Sequence, residues 1–441
     1  MSLPDSFIAR TKLILKDEFT AFEAALSTQA PTSIRINNKI DYPPTNDTIS
    51  HCPNGCYLAE RPLFTADPLF HGGAYYVQEA SSMFLYQAVK QCFPNANRVL
   101  DLCAAPGGKS TLLSQTLPES CLLVSNEIIH SRAQILAENI LKWGNPNVVV
   151  TNNEASHFSK LEHYFDAIVV DAPCSGEGMF RKDPNAINEW SVDNVMNCVS
   201  RQRDILIDSW DALKPGGIMV YSTCTFNREE NEENVHWICT ELGADIIQLA
   251  IEDTNIVITD GGYRFYPHRM KGEGFFMAVI RKNESAVKEQ NFKLVLDKNT
   301  KKINASELPF KLMDFTHFSY YNINNRIIAF DSDNLNELLF LRSKFKCLVA
   351  GIEMFELKGR DYVPTAQLAL SKLLDKSSCT LFEVDYNTAI RFLKREAIEL
   401  NDTDKGYLLL TFKGLTLGWV KNIGNRCNNL YPQHWRIRMN L

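Results

Sequence analysis

No stretch of this 441-residue chain stays apolar long enough to cross a bilayer. Its opening, Met1-Ser2-Leu3-Pro4-Asp5-Ser6, lacks the charged start and apolar centre of a secretory leader. A cytoplasmic, monomeric protein without membrane attachment is expected. Low-complexity tracts and internal repeats are missing, which excludes disordered and solenoid architectures. The spacing Gly-x4-Gly-Lys-Ser/Thr is absent, so there is no P-loop; Gly-x-Gly-x-x-Gly is absent too, which argues against a dinucleotide. Cys52 and Cys56 beside His51 make half a zinc site, but no second Cys or His pair follows at ligand spacing, and no metal is expected. The net charge of -6 does not advertise a nucleic-acid binder. Charge can be segregated along a chain, however. From Thr411 to Leu441 there is no carboxylate side chain, only Lys413, Lys421, Arg426, Arg436 and Arg438, interleaved with Trp419, Tyr431 and Trp435. Cations that meet phosphates and rings that meet unstacked bases suit RNA; a small barrel with ordinary core aromatics is the competing reading.

What is present is an ordinary globular composition, 45% apolar and 22% charged. The length leaves room for about two to four domains. Residues 1–71 read as a small RNA-binding-like α/β domain with a helical pattern from Phe7 to Ala25 and an alternating strand Thr32–Asn37, whose Arg35 and Asn37 face either substrate or solvent. Gly72–Met83 is a loop entering a helix. Apolar runs and helical periods then alternate: strands at 97–103, 122–127, 147–151, 166–171, 217–223 and 274–280, and helices at 109–117, 130–143, 193–213 and 228–241. That rhythm predicts an α/β, doubly wound, mostly parallel sheet over 72–282. Residues 283–304 read as a linker, 305–383 as an α+β domain of unreadable role, and 384–441 as a strand-rich RNA-binding domain.

Val99-Leu100-Asp101-Leu102-Cys103-Ala104-Ala105-Pro106-Gly107-Gly108-Lys109-Ser110 is a strand, a tight turn of small residues and a helix start. Small residues let backbone approach a ligand, and a helix amino end favours negative charge. For Asp101 itself a loop hydrogen bond is the competing role. The next strand ends in Glu127, placed to accept from ribose hydroxyls. The third ends before Glu154, where a polar side chain can meet an adenine edge. Adenosine without pyrophosphate fits S-adenosylmethionine.

Two further strands run into Asp171-Ala172-Pro173-Cys174-Ser175-Gly176 and Ser222-Thr223-Cys224-Thr225. In a parallel sheet, chemistry sits past the carboxyl ends of the strands. Cys174 and Cys224 therefore reach one cleft, in polar turns where a structural thiol is out of place. Cytosine C5 is a poor nucleophile. A thiolate adding to C6 makes C5 enamine-like, so that C5 can attack the methyl sulfonium; a base then removes the C5 proton and the thiolate leaves. A free thiol is only roughly 3% ionised at neutral pH, so the site must supply a proton acceptor or a lowered pKa. Asp171 stands where a carboxyl could hold a proton on N3. Residue types alone leave open which thiol attacks.

These segments resemble the Nop/Sun family of RNA cytosine-C5 methyltransferases: Asp101–Ser110, Asn126-Glu127, Asp171–Pro184, Lys214–Gly217, Ser222–Phe226, Tyr266–His268 and Gly272–Phe276. The resemblance implies a seven-stranded Rossmann-like methyltransferase sheet. It makes Cys224 the nucleophile, Cys174 the group that assists breakdown of the adduct, and Lys109 a site lysine. Family cofactor contacts fall on Cys103, Ala104, Ala105, Pro106, Gly107, Gly108, Lys109, Glu127, Glu154 and Asp171; the family more often has aspartate where Glu154 stands. The segments Gly414–Lys421, Asn428–Pro432 and Trp435-Arg436 resemble the PUA-like tail of bacterial RsmF-type enzymes. That implies 16S rRNA or the small ribosomal subunit as partner, modified in the decoding region. The rival readings are a DNA cytosine-C5 methyltransferase and an RNA-binding ribosome-assembly factor without turnover.

Overall fold

The computed structural model describes residues 3–41, 47–284, 300–400 and 404–439. Seven strands form the middle of its largest sheet: β1 (Arg98–Asp101), β2 (Leu122–Asn126), β3 (Val148–Thr151), β4 (Phe165–Asp171), β5 (Leu213–Thr223), β6 (Ala244–Ile247) and β7 (Phe275–Lys282). Their order is β3-β2-β1-β4-β5-β7-β6, and only β7 runs against its neighbours. The flanking helices are α1 (Gly108–Thr116), α2 (His130–Trp143), α3 (Val192–Trp210) and α4 (Glu232–Glu241).

Successive strand side chains point to opposite faces, so each strand feeds two cores. Val99, Leu123, Val169 and Val220 pack with Leu112 and Leu113 of α1 and with Leu136 and Ile140 of α2. Leu100, Val124, Ile168 and Tyr221 pack with Leu206 of α3 and with Val235 and Ile238 of α4. The winding reverses between β1 and β4, which opens a crevice at the carboxyl ends of β1, β4 and β5.

The sheet is wider than seven strands. The antiparallel pair Val257–Ile258 and Tyr263–Phe265 continues it beyond β7. At the opposite edge Cys347–Val349 runs antiparallel to β3, with Cys347 against Thr151. That strand comes from the region expected to form a separate α+β domain. Ile328, Phe330, Leu338, Leu341 and Phe345 of the same region lie in the core that holds α3 and α4. The region has its own five-stranded sheet, yet it also completes the largest one. Of the expected linker 283–304, residues 285–299 fall outside the described residues, and Lys301–Ile303 is a strand of that five-stranded sheet.

The amino-terminal helical pattern is two helices, Asp5–Leu15 and Phe19–Leu26, broken where Lys16 takes φ 50°. The sheet here includes Tyr75–Val77, paired with Thr32–Ile36, so it crosses the boundary expected after residue 71. Arg35 and Asn37 face neither substrate nor solvent. Arg35 donates from Nε to Gln78 Oε1 (2.8 Å) and lies 4.4 Å over the Trp143 ring. Asn37 Nδ2 donates to the carbonyls of Gly73 and Trp143, each at 2.9 Å. Alternation showed which strand face was polar, but α1 and α2 cover that face.

The tail pairs Thr380–Glu383 in parallel with Gly406–Phe412, followed by antiparallel Leu415–Asn422 and Cys427–Asn429. Its rings do not await bases. Trp419, Tyr431 and Trp435 are 1, 1 and 6% exposed. Trp419 stacks on Phe310 at 4.6 Å, and Tyr431 packs against Phe392 and Trp435. Lys421 pairs with Asp361, whereas Lys413, Arg426, Arg436 and Arg438 are exposed. The cationic half of the RNA reading has accessible groups; the aromatic half is core packing.

Candidate active site

β4 and β5 are parallel neighbours, in register with Asp171 opposite Ser222. Their loops therefore leave the sheet side by side. Gly176 turns the first loop with φ 73°, a conformation that favours glycine. Gly178 then passes so close to the second loop that a Cβ would lie 2.5 Å from the Gly274 carbonyl oxygen and 2.9 Å from that of Cys224. The result is direct sulfur contact: Cys174 Sγ and Cys224 Sγ are 3.1 Å apart, and the Cys224 N–H donates to Cys174 Sγ at 3.3 Å. Both side chains are partly exposed. The hydrogen bond to Cys224, reinforced by burial, raises the Cys174 pKa well above the ordinary thiol value, which keeps Cys174 as a thiol.

Buried carboxylates tie the two loops. Glu177, on the first, accepts from the N–H groups of Phe226 (2.8 Å) and Asn227 (2.9 Å) on the second, and from Trp190 Nε1 (2.9 Å). Glu230, on the second, accepts from the Ser175 N–H (3.0 Å) and hydroxyl on the first, and from Gln202 Nε2 and Asn227 Nδ2, each at 2.7 Å. Burial raises the Glu230 pKa, although these donors oppose the shift.

Beside the thiols, Lys109 Nζ lies 2.8 Å from Asp171 Oδ2, and the Ser222 hydroxyl donates to Asp171 Oδ1 at 2.7 Å. Burial alone would lower the Lys109 pKa; the adjacent carboxylate more than offsets this and raises it. Lys109 and Asp171 also line a cavity of about 190 Å³ with Cys103, Ala104, Ala105, Pro106 and Gly108. Burial pushes the Cys103 thiol up in pKa, so it contributes shape and not a nucleophile. Gly107, at φ 116°, starts α1 just outside this lining. Asp101 does not reach the cavity lining. It is fully buried and accepts from the Ser110 hydroxyl at 2.6 Å, which fixes the first turn of α1.

Glu127 and Glu154 lie beyond the lining. Glu127 is buried at the end of β2, accepts from the Ile129 N–H (2.9 Å) and sits 3.4 Å from Arg132 Nη1. Arg132 also donates to the Ala105 carbonyl (2.9 Å), so it ties that carboxylate to the small-residue turn. Glu154 is exposed just past β3.

The chain as a whole matches known proteins. Residues 92–281 match the model described as 16S rRNA methyltransferase RsmB/F, residues 3–80 the N-terminal domain of 16S rRNA methyltransferase RsmF, and residues 379–437 the methyltransferase RsmF PUA domain. Ribosomal RNA small subunit methyltransferase F of Aliivibrio salmonicida is 30% identical over 98% of this chain and 97% of its own length. This chain belongs to the ribosomal RNA small subunit methyltransferase F family. It is an S-adenosylmethionine-dependent ribosomal RNA methyltransferase. The family member of Pectobacterium carotovorum is 34% identical over 64% of this chain and 63% of its own. Among solved structures, a methyltransferase homolog protein from Pyrococcus horikoshii is 26% identical with TM-score 0.55, over 63% of this chain and 95% of that one. NSun6 from Pyrococcus horikoshii, solved with SFG, shares the fold at TM-score 0.55 and 21% identity, over 64% and 99% of the two chains.

Reading the sequence missed part of this candidate site. The far cavity wall is Tyr76, Val77, Gln78, Glu79 and Ser82, from the amino-terminal sheet and the loop after it. The only local signal was the glycine-led loop Gly72–Met83. Glu177 and Glu230 were passed over as well. The run Asn227-Arg228-Glu229-Glu230-Asn231 reads as a helix start, but α4 begins only at Glu232, because Asn227, Glu230 and Asn231 bind the loops instead.

Proposed function

We propose that this enzyme transfers a methyl group from S-adenosylmethionine to C5 of a cytosine in 16S rRNA, in the decoding region, through a transient bond between Cys224 Sγ and C6 of the base. The observation that supports it best is the sulfur pair 3.1 Å apart at the ends of two neighbouring parallel strands, next to the Lys109–Asp171 ion pair. Cys224 is the attacking group. Cys174, held as a thiol against it, assists breakdown of the adduct. Negative charge that builds on the ring after attack is met by the Lys109 ammonium, which Asp171 and Ser222 hold in place. Asp171, expected to keep a proton on N3, is held beside Lys109 in this pair. The base leaves its stack to enter the crevice.

The residues fit the methyl donor. Gly107 and Gly108 allow close backbone approach, and the cavity of about 190 Å³ is smaller than the roughly 300–1,000 Å³ of a whole ligand pocket. It suits one end of the donor, with Glu127 and then Glu154 along the strand ends to receive ribose and adenine. Bound there, the donor supplies an electrophilic methyl group. The working division is an amino-terminal module that walls the cavity, the methyltransferase sheet with the α+β region built onto it, and the PUA domain as an RNA contact. The enzyme works as a monomer in the cytoplasm, where ribosomal RNA is found.

Bisulfite sequencing of 16S rRNA from cells lacking this protein tests the reading. Loss of one or more protected cytosines, restored by purified enzyme and labelled donor on small subunits, is expected. Methyl transfer to duplex DNA instead, or unchanged 16S rRNA, overturns it.

A further inference from the structure

We propose that Cys174 and Cys224 are also a reversible oxidation site, at which a hydroperoxide converts the two thiols to a disulfide. The two sulfurs already touch at 3.1 Å. Closing to a disulfide bond length of about 2.05 Å requires about 1 Å of movement, within reach of small side-chain rotations. Both residues are partly exposed, so a small oxidant can enter. The loops are fixed by Glu177 and Glu230, so the sulfurs stay paired without substrate.

The chemistry balances. Cys224 thiolate attacks the peroxide oxygen; the O–O bond breaks, hydroxide or alkoxide departs, and Cys224 becomes a sulfenic acid. The Cys174 sulfur then attacks the Cys224 sulfur; the S–O bond breaks, the thiol proton and the hydroxyl leave as water, and the disulfide forms. The peroxide is reduced by two electrons, and the thiol pair supplies them. A dithiol reverses the reaction by exchange. A nucleophilic thiol without such a neighbour proceeds to sulfinic acid, which a dithiol does not restore. A sulfur placed to assist adduct breakdown thus also shields its partner from irreversible loss.

Loss of methyl transfer on oxidation rests on the function proposed above, but disulfide formation does not, so the test reads sulfur chemistry directly. The full-length protein is treated with hydrogen peroxide, alkylated, digested and mapped by mass spectrometry. A linked peptide pair containing Cys174 and Cys224, lighter by two hydrogens and restored by dithiothreitol, is expected. In C174S the same treatment carries Cys224 on to sulfinic acid, two oxygens heavier, which dithiothreitol does not reverse. The proposal is overturned if wild-type Cys224 accumulates as sulfinic acid, if both thiols remain alkylatable, or if the linked pair involves other cysteines. The wild-type map decides the matter even where C174S fails to fold.

Discussion

Glu177 and Glu230 span the same gap in opposite directions. Glu177 reaches from the Cys174 loop to the Phe226 and Asn227 N–H groups, and Glu230 reaches back from the Cys224 loop to the Ser175 N–H. Neither touches a sulfur, yet between them they set where both sulfurs lie. Glu177→Gln and Glu230→Gln each turn an acceptor oxygen into a donor that faces N–H groups. Turnover is expected to fall by about 100-fold, the scale of a 1 Å misplacement, with donor affinity unchanged. Steady-state kinetics and calorimetric titration of S-adenosylhomocysteine separate the two effects. Equal loss of donor binding would mean the carboxylates support the fold at large.

The thiol pair gives the sharpest contrast. Cys224→Ala is expected to abolish both turnover and covalent protein–RNA species. Cys174→Ala is expected to accumulate protein joined to RNA, visible as a gel shift that survives denaturant. The reverse pattern would exchange the roles of the two sulfurs.

Asp101 sets a pH dependence of stability. Burial lifts its pKa from 3.8 to about 7, against the opposing Ser110 hydroxyl and Lys109. The folded carboxyl thus prefers its proton. The associated stability is complete below about pH 4, is lost as pH rises through about 7, and is flat above that. The full difference is roughly 4 kcal/mol as an upper scale. Asp101→Asn keeps an acceptor for Ser110 without the ionisation. Urea unfolding from pH 4.5 to 8 should show wild type losing stability relative to the variant as pH rises. Parallel curves would contradict this.

The tail's cations make a separate claim. Arg426, Arg436 and Arg438 are exposed. Reversing them to glutamate is expected to weaken binding to ribosomal RNA and to flatten its salt dependence by about 0.7 for each phosphate that is no longer neutralised. Donor binding should stay the same. Undiminished RNA affinity would assign the tail a packing role alone.

The strands and helices that carry the site were legible because each is a local pattern. β4 and β5 each contain an apolar run, Ala167–Val170 and Ile218–Tyr221, that stops at a polar turn, and that placed Cys174 and Cys224 at one edge. The cofactor turn was legible from its small residues. What local pattern does not encode is which remote surface covers a face. Arg35 reads as a polar strand residue, and only the approach of Trp143 makes it a buried tie. Trp419 and Tyr431 read as RNA-facing rings until Phe310 and Phe392 are seen against them. The acids Glu177 and Glu230 sit in runs that look solvated, and their partners lie across a fold-level gap.

The strand Cys347–Val349 pairs with Val150 and Thr151 of β3. A nascent chain therefore leaves the ribosome with β3 made and its outer hydrogen-bonding edge bare until residue 349 has emerged. Exposed edges of that kind recruit other strands. Translation that halts after β7 would release a catalytic sheet with an open flank, so premature termination favours aggregation over a shortened but working enzyme. Size exclusion of a chain ending at residue 284 would show it as heterogeneous oligomer.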